Sequence, residues 1–326
     1  MSLKNNLKTV VLGTGGTIAG LRQQTDKPET YRSGQLGITD ILSNTGLDLS
    51  LLEFQDVARI DSKNMTLPVW QDLYRAVALA QKRPDVGAVL ITHGTDTLEE
   101  TAFLLHALGP WPKPVLMTCA MKPADHPQAD GPGNLRDALL LAAYPGLSGV
   151  HVVFNARAHH AMHVQKTSTD HAKAFNSGMA GLSAEKNGPD WTLKVPLVPT
   201  LQQNIPSPDY FLQQSAWPRV EWLTHHSGST PALIQALLQP LAGAPQLRGL
   251  VVAGTGAGTV KPSWEAALQK TMALGVTVWL TSRCTWGEAQ VQAQQNCGEL
   301  SPLSSAKACV GLALHLMAQD EQALAA

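Results

Sequence analysis

A chain of 326 residues, 44% apolar and 15% charged, has material for two domains and a sizeable core and is too apolar to be disordered. Its formal net charge of −1 leaves no basic surface for nucleic acid or an anionic membrane. No apolar run reaches the roughly 18–20 residues that span a bilayer, because Pro145, Gly146 and Gly149 interrupt the longest candidate, Ala138 to Phe154.

The chain opens with Val10-Val11-Leu12 before glycines begin, short of the roughly 7–15 apolar residues of a secretory signal. The expected location is therefore the cytoplasm, or the periplasm if a leader has been removed. Cys119, Cys284, Cys297 and Cys309 lack metal-ligand spacing and read as reduced thiols, with a Cys284–Cys297 bridge as the weaker alternative.

Strand patterns fall at Thr9–Leu12, Val86–Ile91, Pro114–Thr118 and Val150–Asn155, with helical patterns at Val69–Gln81, Leu98–Leu108 and Leu135–Ala143 between them. Alternation of this kind predicts βαβ units and a mainly parallel sheet. Thr97 is expected to cap the helix after the second strand, with Glu99 and Glu100 in its first turn. Prolines 196, 199, 206, 208 and 218 punctuate a polar stretch that marks a boundary. Alternation then resumes with Val220–Thr224, Pro231–Leu241, Leu250–Ala253, Ser263–Ala273, Val276–Thr281 and a final helix over Ser304–Ala318. The predicted fold is thus two α/β domains with mainly parallel sheets. Residues 1–196 form the larger N-terminal domain, 197–218 the linker, and 219–326 a smaller flavodoxin- or Rossmann-like domain.

Two loops combine hydroxyls with glycines where a strand ends, the place at which open parallel sheets bind ligands. The first is Gly13-Thr14-Gly15-Gly16-Thr17-Ile18-Ala19-Gly20 and the second Thr92-His93-Gly94-Thr95-Asp96-Thr97. Glycine lets backbone approach a ligand, and a hydroxyl held there is a candidate nucleophile. Together, unbroken and in this order, the loops resemble those of the bacterial asparaginase/glutaminase amidohydrolase family, and the resemblance spans most of the chain.

The resemblance implies an L-asparaginase that needs no cofactor and no metal. Thr17 matches the family's primary nucleophile, and Tyr31 a tyrosine on a mobile flap, for which the polar segment Leu21–Glu29 is suited. Thr95, Asp96 and Lys166 match a second constellation, in which the lysine handles protons. Asp96 would also take a substrate α-ammonium, and Ser62 the α-carboxylate. Backbone around Gly16 and Gly94 would supply oxyanion donors. The implied partners are a small amino-acid substrate and further copies of the chain, as a dimer or tetramer, with no nucleic acid and no membrane.

The chain departs from the family in two places. Lys63 stands where glutamine commonly follows the serine; lysine only donates hydrogen bonds, so as a substrate-binding residue it would attract the carboxylate and accept nothing from the α-ammonium. The loop Gly254-Thr255-Gly256-Ala257-Gly258-Thr259 lacks both asparagines of the family's Gly-Asn-Gly-Asn. A glutaminase-asparaginase, another amino-acid amide hydrolase, or a non-catalytic amino-acid-binding module on the same fold therefore stand as alternatives. That glycine loop lacks G-x-G-x-x-G spacing, which argues against a dinucleotide. His159 and His163, spaced i, i+4, read as surface histidines, and His93 as a residue packed within its own loop.

Overall fold

The computed structural model describes every residue except 1–6, 24–30, 44–47, 197–203, 241, 244 and 291–295. The chain forms two compact units, Met1–Pro199 and Thr200–Ala326. Part of the expected flap (24–30) and part of the expected linker (197–203) lie outside the described residues.

In the first unit β1 (Lys8–Gly15) leads into a small hairpin of β2 (Leu21–Arg22) and β3 (Tyr31–Arg32), then α1 (Ile38–Ser43) and β4 (Leu52–Ile60). There follow α2 (Leu67–Lys82), β5 (Val86–Thr92), α3 (Leu98–Ala107), β6 (Val115–Thr118), α4 (Gly131–Ala142) and β7 (Val150–Phe154). The unit ends with β8 (Arg157–His160), the pair β9 (Gln165–Lys166) and β10 (Phe175–Asn176), and the hairpin β11 (Ala184–Asn187) and β12 (Asp190–Leu193).

Eight of these strands form one sheet, ordered β12-β11-β8-β7-β6-β5-β1-β4. From β4 to β7 every neighbour is parallel, and the other end is antiparallel. The inner parallel strands are covered on both faces, so β5 and β6 read as continuous apolar runs, whereas the edge strand β4 does not. On one face Val11, Leu90, Leu116 and Val153 meet Leu135, Ala138 and Leu141 of α4. α2 buries Trp70, Leu73, Tyr74 and Val77, a helical stripe, and carries proline in its first turn, where no N–H is missed.

The strand order places a topological switch point between β1 and β5. The chain leaves β1 for β4 on one side and then starts β5 on the other. A crevice outside the carboxyl ends of the strands opens at such a point.

In the second unit α5 (Pro208–Gln213) lies within the stretch expected to be linker, its N-terminus capped by Ser207. Four parallel strands follow in order, β13 (Val220–Thr224), β14 (Gly249–Gly254), β15 (Thr277–Ser282) and β16 (Glu299–Leu300). Helices α6 (Ala232–Leu237) and α7 (Pro262–Ala273) separate the first three strands, and α8 (Ser305–Ala325) follows β16. The glycine loop after β14 closes on itself. Thr255 and Thr259 exchange backbone hydrogen bonds, and a Cβ on Gly254 would lie 2.3 Å from the Gly258 carbonyl carbon. Cys284 is exposed, Cys297 is buried, and the two are not bridged.

Candidate active site

Both threonine-rich loops leave the sheet at the switch point, and hydrogen bonds tie them there. Thr14 is buried and donates from Oγ1 to the carbonyl of Thr92 at 2.9 Å, joining the ends of β1 and β5. Beyond β1 the backbone turns through Gly16 at φ 79°, ψ −172°. A Cβ there would sit 2.4 Å from Gly94 Cα and 2.4 Å from Gly94 N. A Cβ on Gly94 would in turn lie 2.5 Å from Ser62 Oγ. The two loops therefore touch backbone to backbone, and the Ser62 side chain packs on Gly94, an approach that only glycine allows. Thr17 and Thr95 each follow one of the touching glycines.

Thr17 opens a short 3-10 turn and is 5% exposed. Its Oγ1 lies 2.8 Å from the Tyr31 hydroxyl. Tyr31 comes from β3, which pairs antiparallel with β2, so the hairpin folds the phenol back over the nucleophile candidate. The ring also packs against Gly20, where a Cβ would stand 3.0 Å from Tyr31 Cδ2.

Thr95, 6% exposed, accepts a hydrogen bond from Lys166 Nζ at 2.8 Å. The same ammonium donates to Asp96 Oδ1 at 2.7 Å. Lys166 arrives on β9, and its backbone N–H donates to Glu99 Oε2 at 2.9 Å. Asp96 is anchored through its own N–H, which donates to Ser62 Oγ at 3.2 Å. Asp61 caps the Ser62 turn and accepts from Lys63 Nζ at 2.9 Å and from Ser33 Oγ at 3.4 Å.

The structure thus gathers Thr95, Asp96, Lys166 and Ser62 in one cluster and Thr17 with Tyr31 in another, and Gly16 against Gly94 joins the two. The Gly16 amide, however, donates to the Ile60 carbonyl at 2.8 Å. It is therefore not an oxyanion donor, and its place is explained by the close approach instead. The amides of Gly94 and Thr95 have no partner among the described residues and remain available.

Thr97 precedes α3 but does not cap it with its side chain. Its hydroxyl donates to the Ser62 carbonyl at 2.8 Å and holds the Ser62 turn against the second loop. His93 is fully buried, and its Nδ1–H donates to the Gly94 carbonyl at 2.8 Å. Burial pushes its pKa down to about 4, so at neutral pH it is an uncharged brace for the loop. His159 is buried rather than on the surface, with Nδ1 2.8 Å from Ser177 Oγ. Among the described residues no cluster of His, Cys, Asp or Glu is arranged to hold a metal.

Glu99 escaped the sequence reading. As an acid in a first helical turn it looks like a partner for the helix dipole, and only the fold shows that it positions the lysine strand. Glu100 beside it is driven up to about 7 by burial, with a smaller push from the charge of Glu99.

Comparison with known proteins identifies the family. Residues 8–196 match the family described as Asparaginase, N-terminal, and residues 219–323 match the Glutaminase/Asparaginase C-terminal domain. A probable periplasmic L-asparaginase of Haemophilus influenzae is 33% identical over 85% of this chain and 78% of its own length. L-asparaginase 2 of Escherichia coli is 30% identical over 87% of this chain and 80% of its own. A crystal structure of a probable cytoplasmic L-asparaginase from Campylobacter jejuni superposes with a TM-score of 0.84, at 29% identity, over 97% of this chain and 98% of that one. The chain belongs to the asparaginase family.

Proposed function

We propose that this site hydrolyses the side-chain amide of L-asparagine to L-aspartate and ammonia through a threonine ester. The observation that carries the reading is the meeting of the two loops at the switch point, with Tyr31 on Thr17 and Lys166 on Thr95. Thr17 Oγ1 attacks the carboxamide carbon, and the negative charge that develops on its oxygen meets the Gly94 and Thr95 amides. The hydroxyl proton ends on the leaving nitrogen, passed by Tyr31 and the Lys166–Thr95 pair, and the carbon–nitrogen bond breaks to release ammonia. Water then cleaves the ester, restores the Thr17 hydroxyl and frees aspartate. Asp96 holds the substrate ammonium and Ser62 its carboxylate.

One observation favours a second assignment of the nucleophile. Thr95, not Thr17, is the hydroxyl with a lysine nitrogen at 2.8 Å, which acts as a base once it has given up the proton it now donates. Ammonia release by wild type, Thr17→Ala and Thr95→Ala, with mass mapping of the esterified peptide, separates the two. Loss of turnover in Thr17→Ala and an ester on the Thr17 peptide are expected; an unchanged Thr17→Ala rate rejects the assignment.

The catalytic domain is residues 1–196, joined through 197–218 to the domain at 219–326. The active form is a homo-oligomer in the cytoplasm, as the family resemblance and the name of the Campylobacter jejuni protein suggest. Glutamine is the rival substrate, since a glutaminase-asparaginase of Pseudomonas fluorescens is 29% identical over 85% of the chain.

A further inference from the structure

Lys63 is a charged residue at the site for which the proposed hydrolysis has no use. It follows Ser62 in the turn that ends β4, and its ammonium rests 2.9 Å from Asp61 Oδ2. The side chain is 66% exposed, so it is held by one ion pair and is free to swing. Asp61 raises its pKa above the ordinary lysine value, first by hydrogen bond and then by charge, and Asp96 adds a smaller push. Geometry places it beside the same groups: Lys63 follows Ser62, whose Oγ accepts from the Asp96 N–H at 3.2 Å, so Lys63 and Asp96 flank one turn.

Counting charge around that turn gives the consequence. Asp61, Asp96 and Glu99 contribute three negative charges, and Lys63 and Lys166 two positive ones. A neutral side chain at position 63 would leave one negative charge more. The carboxylate of Asp96 already shares Oδ1 with Lys166, so a ligand ammonium must approach it beside two cations. A ligand carboxylate gains from both cations.

We propose that Lys63 sets specificity by charge, favouring ω-carboxamide acids that carry a carboxylate but no free α-ammonium, such as a dicarboxylic acid monoamide or an N-acylated asparagine. The proposal rests on the amidohydrolase reading of the site and adds the substrate class that this chain tolerates. One unit charge at roughly 6–8 Å, in a dielectric of roughly 40–80, changes the preference by about two- to tenfold.

The test compares kcat/KM for succinamate and for asparagine in wild type, Lys63→Gln and Lys63→Met. The succinamate-to-asparagine ratio is expected to fall about two- to tenfold in both variants, and the difference to shrink in 0.5 M salt, where exposed charges are screened within roughly 4–5 Å. An identical ratio in all three proteins, with asparagine still hydrolysed, overturns the role of Lys63 and leaves the hydrolase reading intact. Wild type that releases ammonia from neither amide overturns the hydrolase reading. Calorimetric binding of succinate and aspartate to the same three proteins then decides Lys63 by the same ratio without turnover.

Discussion

Replacing Gly16 by alanine tests whether the two loops must touch for the site to work. Two separate penalties are expected. The first is the backbone: φ 79°, ψ −172° lies in a region that is nearly exclusive to glycine and costs an L-residue about 1–3 kcal/mol. The second is overlap, because the new methyl would stand 2.4 Å from Gly94 backbone atoms that no rotamer change can move aside. Overpacking of this kind adds about 1–3 kcal/mol. Gly181 provides the control, since it has the same φ 79° and ψ −172° with nothing within 4 Å of its would-be Cβ. Gly181→Ala meets the first penalty alone. Denaturant unfolding of both variants should therefore place Gly16→Ala below Gly181→Ala by about 1–3 kcal/mol. Relief of the overlap means separating the loops by about 1 Å, and a displacement of that size at a reacting centre lowers rate by about 10²-fold. Ammonia release should accordingly collapse in Gly16→Ala and stay within about twofold of wild type in Gly181→Ala. Equal stabilities, or a Gly16→Ala protein of near-normal activity, would refute the claim that contact between the loops builds the site.

Lys166→Met keeps the length of the side chain and removes the proposed proton carrier, so steady-state kinetics should show kcat lower by about 10²–10⁴-fold. Glu99→Ala frees the backbone of the lysine strand and should lower kcat about tenfold with little change in KM, whereas Glu99→Gln, which still accepts from the Lys166 N–H, should recover most of it. Glu100 predicts a pH effect on stability rather than on rate. Its pKa is raised from 4.5 to about 7, so the folded protein holds this proton more tightly than the unfolded chain. The resulting stabilisation is complete below pH ~4.5 and is lost as pH rises through about 7, where the buried carboxylate must ionise. Glu100→Gln has no such loss, and its stability relative to wild type should increase by about 1–3 kcal/mol between pH 4.5 and pH 8.5 in paired thermal melts. A flat difference across that range would show that Glu100 ionises as freely in the fold as outside it.

The strands that carry the two loops were legible because burial on both faces leaves a continuous apolar signal. Thr9–Leu12 and Val86–Ile91 stand out for that reason, and the structure extends both. β4 gave no such signal. It is the edge of the sheet, and Glu53, Phe54, Gln55, Asp56 and Arg59 along it satisfy solvent and ion pairs instead of a core. The antiparallel margin β8, β11 and β12 was invisible for the same reason, being short and largely polar.

A similar division holds within the site. Glycines and hydroxyls that close a strand announce themselves in sequence, since few residues tolerate the turn. Contacts between distant segments do not, because nothing local in Glu99 foretells the backbone of Lys166, 67 positions away. Thr97 shows the limit most plainly. Its position before α3 has the chemistry of a cap, yet the adjacent Ser62 carbonyl takes the hydroxyl instead. Local propensity offered only the cap, and the meeting of β1, β4 and β5 at the switch point brought Ser62, 35 positions away, within reach of the hydroxyl. The reactive groups follow from motif, but their geometry follows from topology, so substitutions at joining residues such as Gly16, Gly94 and Thr97 should disturb the chemistry without touching a reacting atom.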